Sequence, residues 1–448
     1  MSRFDLRPKI RSSFFLRNVR LRARGSSRFR ILRPLAHRDF ALLWLGNSIS
    51  MLGDGIYYVA IAWQVYELRN VPSALAVVGL ATTLPMVIFL LLGGVISDRF
   101  DRRRVMIAGD IVRGVAILAI GVLSVTGSIE FWHVIVLVAV YGIGEAFFGP
   151  AFGAIVPDIV PPSELVQANS LEQFVRPLAF RLAGPALGGW IIAAIGGGEA
   201  GAAFLVDAAT FGASALALLA MTPRPITRAT GEEQASFLRE AVEGLRFVKS
   251  RTWLWATLGS ATVTLLFFWG PFEVLLPYIV KNRLGGGADD LGLIFAVGGV
   301  GAIIAAFLMA QRGLPGRHIL FMYSSWSIGI ASVSLYAFTT EVWQAMVISF
   351  IEATMITCGM IVWGTLMRAL VPTALQGRVN SLDWLVSIGL VPLSYALTGP
   401  VAKWLGAEST LLWAGILGGA TTAGVLFIPG MFDTERDGSL VLEPIHAP

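Results

Sequence analysis

Twelve apolar stretches, each about as long as a lipid bilayer is thick, constrain the fold of this chain more than any other feature. A helix needs about 20 mostly apolar residues to cross the hydrocarbon core of a membrane. Only 14 % of the residues are charged, against about 25 % in an average soluble domain. The pattern predicts an all-α membrane protein with twelve transmembrane helices and excludes a soluble enzyme, so we expect no enzymatic activity. The stretches cover residues 40–66, 73–96, 105–126, 131–153, 170–195, 202–222, 254–280, 289–310, 319–338, 342–367, 381–402 and 409–430.

Residues 1–38 form a strongly basic arm before the first stretch. The arm contains 12 Lys and Arg residues and a single acid, Asp5. A polybasic segment beside a membrane helix is attracted to anionic lipid. We therefore expect the arm to contact anionic lipid rather than nucleic acid, with a disordered cytoplasmic tail as the alternative. The arm is not a signal peptide, because no apolar core follows its charges before Asp39.

The distribution of Lys and Arg predicts the orientation of the chain in the membrane. An even number of spans places both termini on one side, and the connections on that side carry most of the basic residues. The positive-inside rule therefore predicts cytoplasmic N- and C-termini in the cell membrane. The predicted organisation is a basic arm (1–38), a first six-helix half (39–222), a cytoplasmic linker with an amphipathic helix (223–252), a second six-helix half (253–430) and a cytoplasmic tail (431–448).

An internal repeat relates the two halves. Val156-Pro157, Asn169-Ser170-Leu171 and Gly184-Pro185 recur in the same order about 210–215 residues later. The second copies are Val371-Pro372, Asn380-Ser381-Leu382 and Gly399-Pro400. Two parallel repeats of six spans are the organisation of a class of secondary transporters, whose substrate site lies near the midplane between the halves.

The connection between the second and third spans carries the most specific motif. It contains Gly94, Asp98, Arg99, Arg102 and Arg103. The glycine permits close approach of two helices, the acid can accept hydrogen bonds from a helix start, and the arginines can pair with it. The motif resembles the gating loop of the major facilitator superfamily, Gly-x-x-x-Asp-Arg-x-Gly-Arg-Arg, except that Asp101 replaces its second glycine. The resemblance implies a gating role, and the alternative is that the charges only set the topology.

A second motif lies in the fifth span. Gly184, Pro185, Gly188 and Gly189 resemble the exporter motif of the same superfamily, and the alternative is ordinary helix packing of small residues. Stretches such as Trp44-Leu45-Gly46 and Gly270-Pro271 narrow the resemblance, over about residues 39–430, to the enterobactin exporter and macrolide efflux branch. The fourth span departs from the pattern of drug/proton antiporters, because Val138 stands at the position where they commonly carry an arginine.

Charged residues inside spans are candidates for proton coupling or substrate contact, because inserting each one costs about 2.5–3.5 kcal/mol. Asp54 and Glu145 are the first candidates, and Glu352 is the third. Arg113 could instead form a structural pair with Asp54, or with Asp110 three residues before it. The full candidate set is Asp54, Glu145, Glu352, Arg113, Arg176 and Arg181.

Two arginines of this set and two acids outside it have other expected surroundings. Arg176 and Arg181 could face an acidic substrate or pair with Glu145. Asp207 and Glu273 lie closer to the ends of their spans, so we expect them at the membrane interface.

The sequence contains no motif for bound cofactors. The four histidines are far apart, no Cys/His cluster exists, and no Walker-type loop is present, so we expect no metal, cofactor or ATP. These features predict a monomeric secondary transporter that exports a small amphipathic compound, such as a drug or siderophore, by proton antiport. The alternatives are a proton-coupled importer of the same fold and a non-transporting membrane receptor or scaffold.

Overall fold

The computed structural model describes residues 27–195, 200–223 and 237–436. Most of the predicted basic arm, the first part of the predicted linker and most of the predicted C-terminal tail lie outside these residues. The helices of the first half are α1 (Arg38–Leu68), α2 (Pro72–Arg99), α3 (Arg102–Val125), α4 (Phe131–Ile159), α5 (Leu165–Arg176), α6 (Gly184–Ile195) and α7 (Gly201–Ala220). The remaining helices are α8 (Phe237–Ser250), α9 (Thr252–Asn282), α10 (Ala288–Arg312), α11 (His318–Ser332), α12 (Val342–Leu370), α13 (Thr373–Gly389), α14 (Val391–Leu405), α15 (Ala407–Gly424) and α16 (Asp433–Arg436).

These helices form the twelve predicted spans. Within the described part of the chain, eleven helices are long and apolar enough to cross a membrane. The remaining span is α1, which has 31 residues but carries polar side chains such as Asp54 and Gln64. The described residues contain helices and no strands, so the all-α prediction is confirmed.

Two spans are interrupted where the sequence carries proline. The fifth span consists of α5, a π-helical segment at Pro177–Ala183, and α6. Here the Gly184 N–H donates to the Ala179 carbonyl, five residues back. The eleventh span is interrupted between α13 and α14 at Leu390, two residues before Pro392. Proline removes a backbone donor and bends or breaks a helix, and π-helical turns are frequent at functional sites.

The two halves are joined at one end of the bundle, which we call the closed end. The C-termini of α1 and α9 lie at this end. The Tyr66 hydroxyl donates to the Val274 carbonyl at 2.5 Å, and the Lys281 ammonium lies 2.5 Å from a Glu67 carboxylate oxygen. Asn70 and Asn282 exchange hydrogen bonds between their side-chain amides.

The amphipathic helix predicted in the linker is observed as α8. Its Val248 side chain is buried, and Glu243 lies 2.6 Å from Arg378 of α13. A Cβ atom at Gly244 would lie 3.0 Å from the Arg378 Cβ. The helix therefore packs against the second half.

Candidate transport site

Arg113 of α3 forms the centre of a buried charge network in the first half. Its guanidinium donates hydrogen bonds to Asp110 Oδ1 at 2.5 Å and to Glu145 Oε2 at 2.6 Å. The rings of Phe148 and Phe211 cover it, with centroids at 4.1 and 4.7 Å. A charge in an apolar bundle needs such partners, because an unpaired buried charge is costly. The predicted pair with Asp110 is confirmed, and Glu145 is a second partner.

Glycines make room for this network. A Cβ atom at Gly144 would lie 2.7 Å from Cγ of Arg113, and a Cβ atom at Gly109 would lie 3.1 Å from the Gly144 carbonyl oxygen. The two glycines let α3 and α4 approach closely at the level of the guanidinium.

Asp54 belongs to the same region and connects α1 with α4. The Tyr141 hydroxyl donates to Asp54 Oδ1 at 3.0 Å. The Tyr57 ring stacks on the Tyr141 ring with centroids 5.1 Å apart. Arg113 acts on Asp54 electrostatically, while its hydrogen bonds go to Asp110 and Glu145. The two leading candidate acids are therefore neighbours in one network.

Asp207 was expected at the membrane interface, and this expectation is wrong. The residue is 0 % exposed, and its Oδ2 atom has no hydrogen-bond partner among the described residues. Thr210 donates to Oδ1 at 3.3 Å, and a Cβ atom at Gly53 would lie 2.3 Å from the same oxygen. Asp207 is only six residues after the start of α7, but the packing of α1 against α7 covers it. An acid within a 20-residue apolar run was the available signal.

A second group of charges lies where the two halves meet. Glu352 of α12 is 3 % exposed, as its depth in the span predicted. Glu273 of α9, which was expected at the interface with lipid headgroups, instead accepts a hydrogen bond from Tyr395 of α14. Arg181 of the π-helical segment acts electrostatically on both acids. Sequence reasoning placed Glu273 wrongly because distance from a span end does not show which neighbours cover a side chain.

The two arginines of the fifth span, Arg176 and Arg181, do not pair with Glu145. Glu145 pairs with Arg113, so the alternative pair with Arg176 or Arg181 is not formed. Arg176 is exposed at the end of α5, and Arg181 is exposed on the side that faces the second half. Arg181 therefore joins the charges between the halves, whereas Arg176 joins neither group.

The arginines of the gating loop fasten it to the first half. Arg102 donates to Asp158 Oδ2 at 2.5 Å and to the Ala154 carbonyl at 3.0 Å. Arg103 donates to the Leu218 and Leu219 carbonyls at 2.6 and 2.7 Å, where a cation complements the end of the α7 dipole. Arg99 is exposed at the end of α2, and the side chain of Asp98 lies outside the described part.

Two glycine positions in this loop region depart from the expectation. A Cβ atom at Gly94 would meet nothing within 4 Å, whereas one at Gly93 would lie 2.1 Å from the Ala146 carbonyl oxygen. The close approach of α2 to α4 therefore depends on Gly93. Asp101, at the usual glycine position, has φ −57° and accepts a hydrogen bond from the Arg103 N–H at 3.0 Å. This acid caps the start of α3 and needs no glycine geometry.

The motif of the fifth span makes contacts with both halves. Cβ atoms at Gly184 and Gly188 would lie 2.6 Å from the Gly55 Cα and 2.8 Å from the Ile56 carbonyl oxygen, both in α1. A Cβ atom at Gly189 would lie 2.5 Å from the Ala288 carbonyl oxygen, which belongs to the second half. Pro185 also contacts the second half, since a Cβ atom at Gly292 would lie 2.3 Å from its carbonyl oxygen. The motif thus packs α6 on α1 and closes the interface between the halves.

The sequence of residues 30–434 matches the family described as transmembrane secretion effector, a branch of the major facilitator superfamily. The chain belongs to this family. The resemblance noted in the gating loop is therefore confirmed, and the protein is a multi-pass membrane transporter. Among the described residues, no group of His, Cys, Asp and Glu converges in a way that could hold a metal ion.

Curated relatives of this chain include named efflux proteins. The multidrug efflux pump Tap of Mycolicibacterium fortuitum is 28 % identical over 395 residues, which cover 85 % of this chain and 91 % of Tap. The uncharacterised major facilitator transporter YfiS of Bacillus subtilis is 26 % identical, with 86 % and 92 % covered. Macrolide efflux protein A of Streptococcus pyogenes is 24 % identical, with 64 % and 69 % covered. The predicted likeness to the macrolide efflux branch is confirmed.

Solved structures of other transporters share the fold of this chain. The nucleoside transporter NupG superposes with a TM-score of 0.64 at 9 % identity, covering 87 % of this chain and 98 % of NupG. A bacterial homologue of the iron transporter ferroportin, in an inward-facing state, has a TM-score of 0.63 at 17 % identity, with 87 % and 99 % covered. Both likenesses concern the fold alone.

Proposed function

We propose that this transporter exports a small amphipathic compound in exchange for protons by alternating access. Membership of the secretion effector family and the efflux names of its relatives Tap and macrolide efflux protein A support outward transport. The substrate class includes drugs and siderophores. Protons are the coupling ions, and the compound binds between the halves.

The charge network around Arg113 is the observation that carries this proposal. It joins two acids inside the membrane, Glu145 through the ion pair and Asp54 through Tyr141 and the electrostatic field of Arg113. The side chain of Glu145 is 38 % exposed, whereas that of Arg113 is 3 % exposed. In this proposal protons and substrate reach the acid while its cation stays covered. Charged residues inside a membrane bundle are expensive, so they are functional candidates by default.

The chemistry of these residues suggests the order of events. When the cavity faces outside, a proton binds a carboxylate of Asp54 or Glu145 and weakens its interaction with Arg113. Asp110 then keeps the guanidinium paired at 2.5 Å, so the network survives the change. When the cavity faces the cytoplasm, the substrate binds and the carboxylate releases its proton.

The closed end faces outside in this proposal, and both termini are cytoplasmic. Asp98 and the arginines of the gating loop secure the opposite, cytoplasmic end when the halves rock. The basic arm contacts anionic lipid at the same surface. A monomer suffices, because one chain supplies both halves and all of the charges between them.

The experiment uses proteoliposomes with an imposed pH gradient and two probes, a radiolabelled macrolide and a tetracycline. We expect at least one probe to move against its concentration gradient as protons move the other way, and an ionophore that collapses the pH gradient should stop it. Movement of probe and protons in the same direction would indicate a symporter. Absence of both movements across a wider panel of amphipathic compounds would favour a receptor or scaffold.

A further inference from the structure

Glu273 of α9 lies in a group of polar side chains contributed by both halves. Within the second half, the Tyr395 hydroxyl donates a hydrogen bond to its carboxylate. From the first half, Tyr58 of α1 and Arg181 of the π-helical segment act on the same carboxylate electrostatically, and a Cβ atom at Gly299 of α10 would lie 2.8 Å from the Arg181 carbonyl oxygen. Glu352 is the other acid near Arg181. We call Glu273, Tyr58, Tyr395 and Arg181 the interface cluster.

The packing around the interface cluster places it where the halves touch. A Cβ atom at Gly79 of α2 would lie 2.3 Å from the Tyr395 ring, so this tyrosine fits directly against the first half. The Tyr58 ring packs edge-on against Phe295 of α10 with centroids 5.0 Å apart. Tyr58, Glu273 and Tyr395 are each about ten residues, or about 15 Å, from the closed end of their helices. The cluster therefore lies just below the contacts that seal this end.

The interface cluster joins the two halves, whereas the Arg113 network lies within one half. Asp54, Asp110, Arg113, Tyr141 and Glu145 all belong to the first half. A rigid rocking of the halves leaves that network intact. The same movement separates Glu273 from Tyr58 and Arg181 but leaves its bond to Tyr395. Only an interaction that differs between two states can shift the balance between them.

We propose that Glu273 is a positioning residue that holds the closed end shut through Tyr58 and Arg181, and so sets the balance between the two access states. The proposal rests on the alternating access stated under Proposed function, but it does not depend on which acid couples protons. Glu273 keeps Tyr395 as a partner in both states, so its carboxylate is never left without a donor. Tyr58 and Arg181 are the partners that separate on opening.

A distance measurement across the closed end tests this proposal. Val71 of the first half and Lys403 of the second half are exposed residues that line one cleft there. Cys358 is the single cysteine of the chain, so Cys358→Ala provides a background for spin labels on Val71→Cys and Lys403→Cys. The distance distribution is recorded in lipid nanodiscs without substrate or pH gradient. Glu273→Gln removes the charge, and Tyr58→Phe removes only the hydroxyl.

Each variant should raise the ratio of long to short distances about tenfold, the lower value expected when a polar interaction with a charged group is lost. The double variant should add little to Glu273→Gln alone, because the Tyr58 hydroxyl acts through the Glu273 charge that this substitution removes. Glu408→Gln is the matched control, since its partner Arg283 at 3.9 Å belongs to the same half and no shift is expected.

Unchanged distances in both Glu273→Gln and Tyr58→Phe would overturn the proposal. A shift of equal size in Glu408→Gln would also overturn it. A third contradictory result would be a Glu273→Gln protein that no longer binds the macrolide or tetracycline probe but keeps unchanged distances. Tyr58→Phe keeps the test decisive if Glu273→Gln folds poorly. Proton-coupled transport is measured separately in proteoliposomes. Failure of the proposed role of Glu273 and failure of proton antiport therefore give different results.

Discussion

Arg113 lies 2.6 Å from Glu145 and joins α3 to α4 in the middle of the first half. The same guanidinium lies 2.5 Å from Asp110, whose side chain is 0 % exposed. The network therefore has a covered pair, for which we expect a structural role, and a part-exposed acid, which is the proposed site for protons and substrate. Substitutions at the two parts should therefore have different effects.

Replacement of Arg113 should damage the fold more than it damages coupling. Arg113→Met leaves Asp110 buried without its cation, and breaking a buried pair in this way costs about 3–5 kcal/mol. We expect a lower melting temperature in detergent and a lower amount of protein in the membrane. Arg38→Met is the matched control, because the Arg38 side chain is 69 % exposed and should tolerate the change. Equal melting temperatures for the two variants would contradict the structural role of Arg113.

Neighbouring glycines of the exporter motif should behave differently. Gly188→Ala places a Cβ atom 2.8 Å from the Ile56 carbonyl oxygen inside the first half, so it should lower the melting temperature. Gly189→Ala places one 2.5 Å from the Ala288 carbonyl oxygen across the interface, so it should lengthen the Val71–Lys403 label distance. Gly212→Ala meets nothing within 4 Å and serves as the control. If Gly189→Ala leaves the label distance unchanged, the motif does not close the interface.

Two acids of the gating loop should also give opposite phenotypes. Asp98→Ala should impair transport with nearly normal membrane abundance, because we expect the loop to bias the access states. Asp101→Ala removes the cap of α3 and should lower stability by about 1 kcal/mol. Transport rates and melting temperatures of both variants check this. A normal transport rate in Asp98→Ala would indicate that the motif only sets the topology.

The basic arm should be dispensable for folding up to residue 26. The arm contains no apolar span, but Pro34 is buried and Leu35 packs against the core of the first half. We expect deletion of 2–26 to leave the melting temperature unchanged and to weaken binding to vesicles that contain anionic lipid. Extending the deletion to residue 36 should lower the melting temperature. Loss of the folded protein in the shorter deletion would contradict the expected independence of the arm.

The spans and the local pairs of this transporter were predictable from the sequence because they depend on short-range patterns. Apolar length predicted the twelve helices, and the i,i+3 spacing predicted the bond from Arg113 to Asp110. The pair with Glu145 depends on how α3 packs on α4, so the spacing of residues did not indicate it. The burial of Asp207 likewise depends on α1, through Gly53.

Relationships between the halves were the least predictable. Arg181 faces Glu352 and Glu273 because of how the fifth span crosses the second half. The π-helical segment at Pro177–Ala183 changes the direction of side chains after Pro177, so an α-helical register would place Arg181 differently. The sequence contained the residues of the interface cluster but not the contact between the halves that brings them together.

The most direct test of proton antiport compares uphill and downhill transport in Asp54→Asn and Glu145→Gln. These substitutions keep the side-chain shape and remove titration. In everted vesicles acidified inside, the unaltered protein should accumulate the probe in the lumen as protons leave. We expect at least one of the two variants to lose this accumulation while it still exchanges the probe downhill. Full accumulation in both variants, with unchanged dependence on pH, would contradict coupling through the Arg113 network.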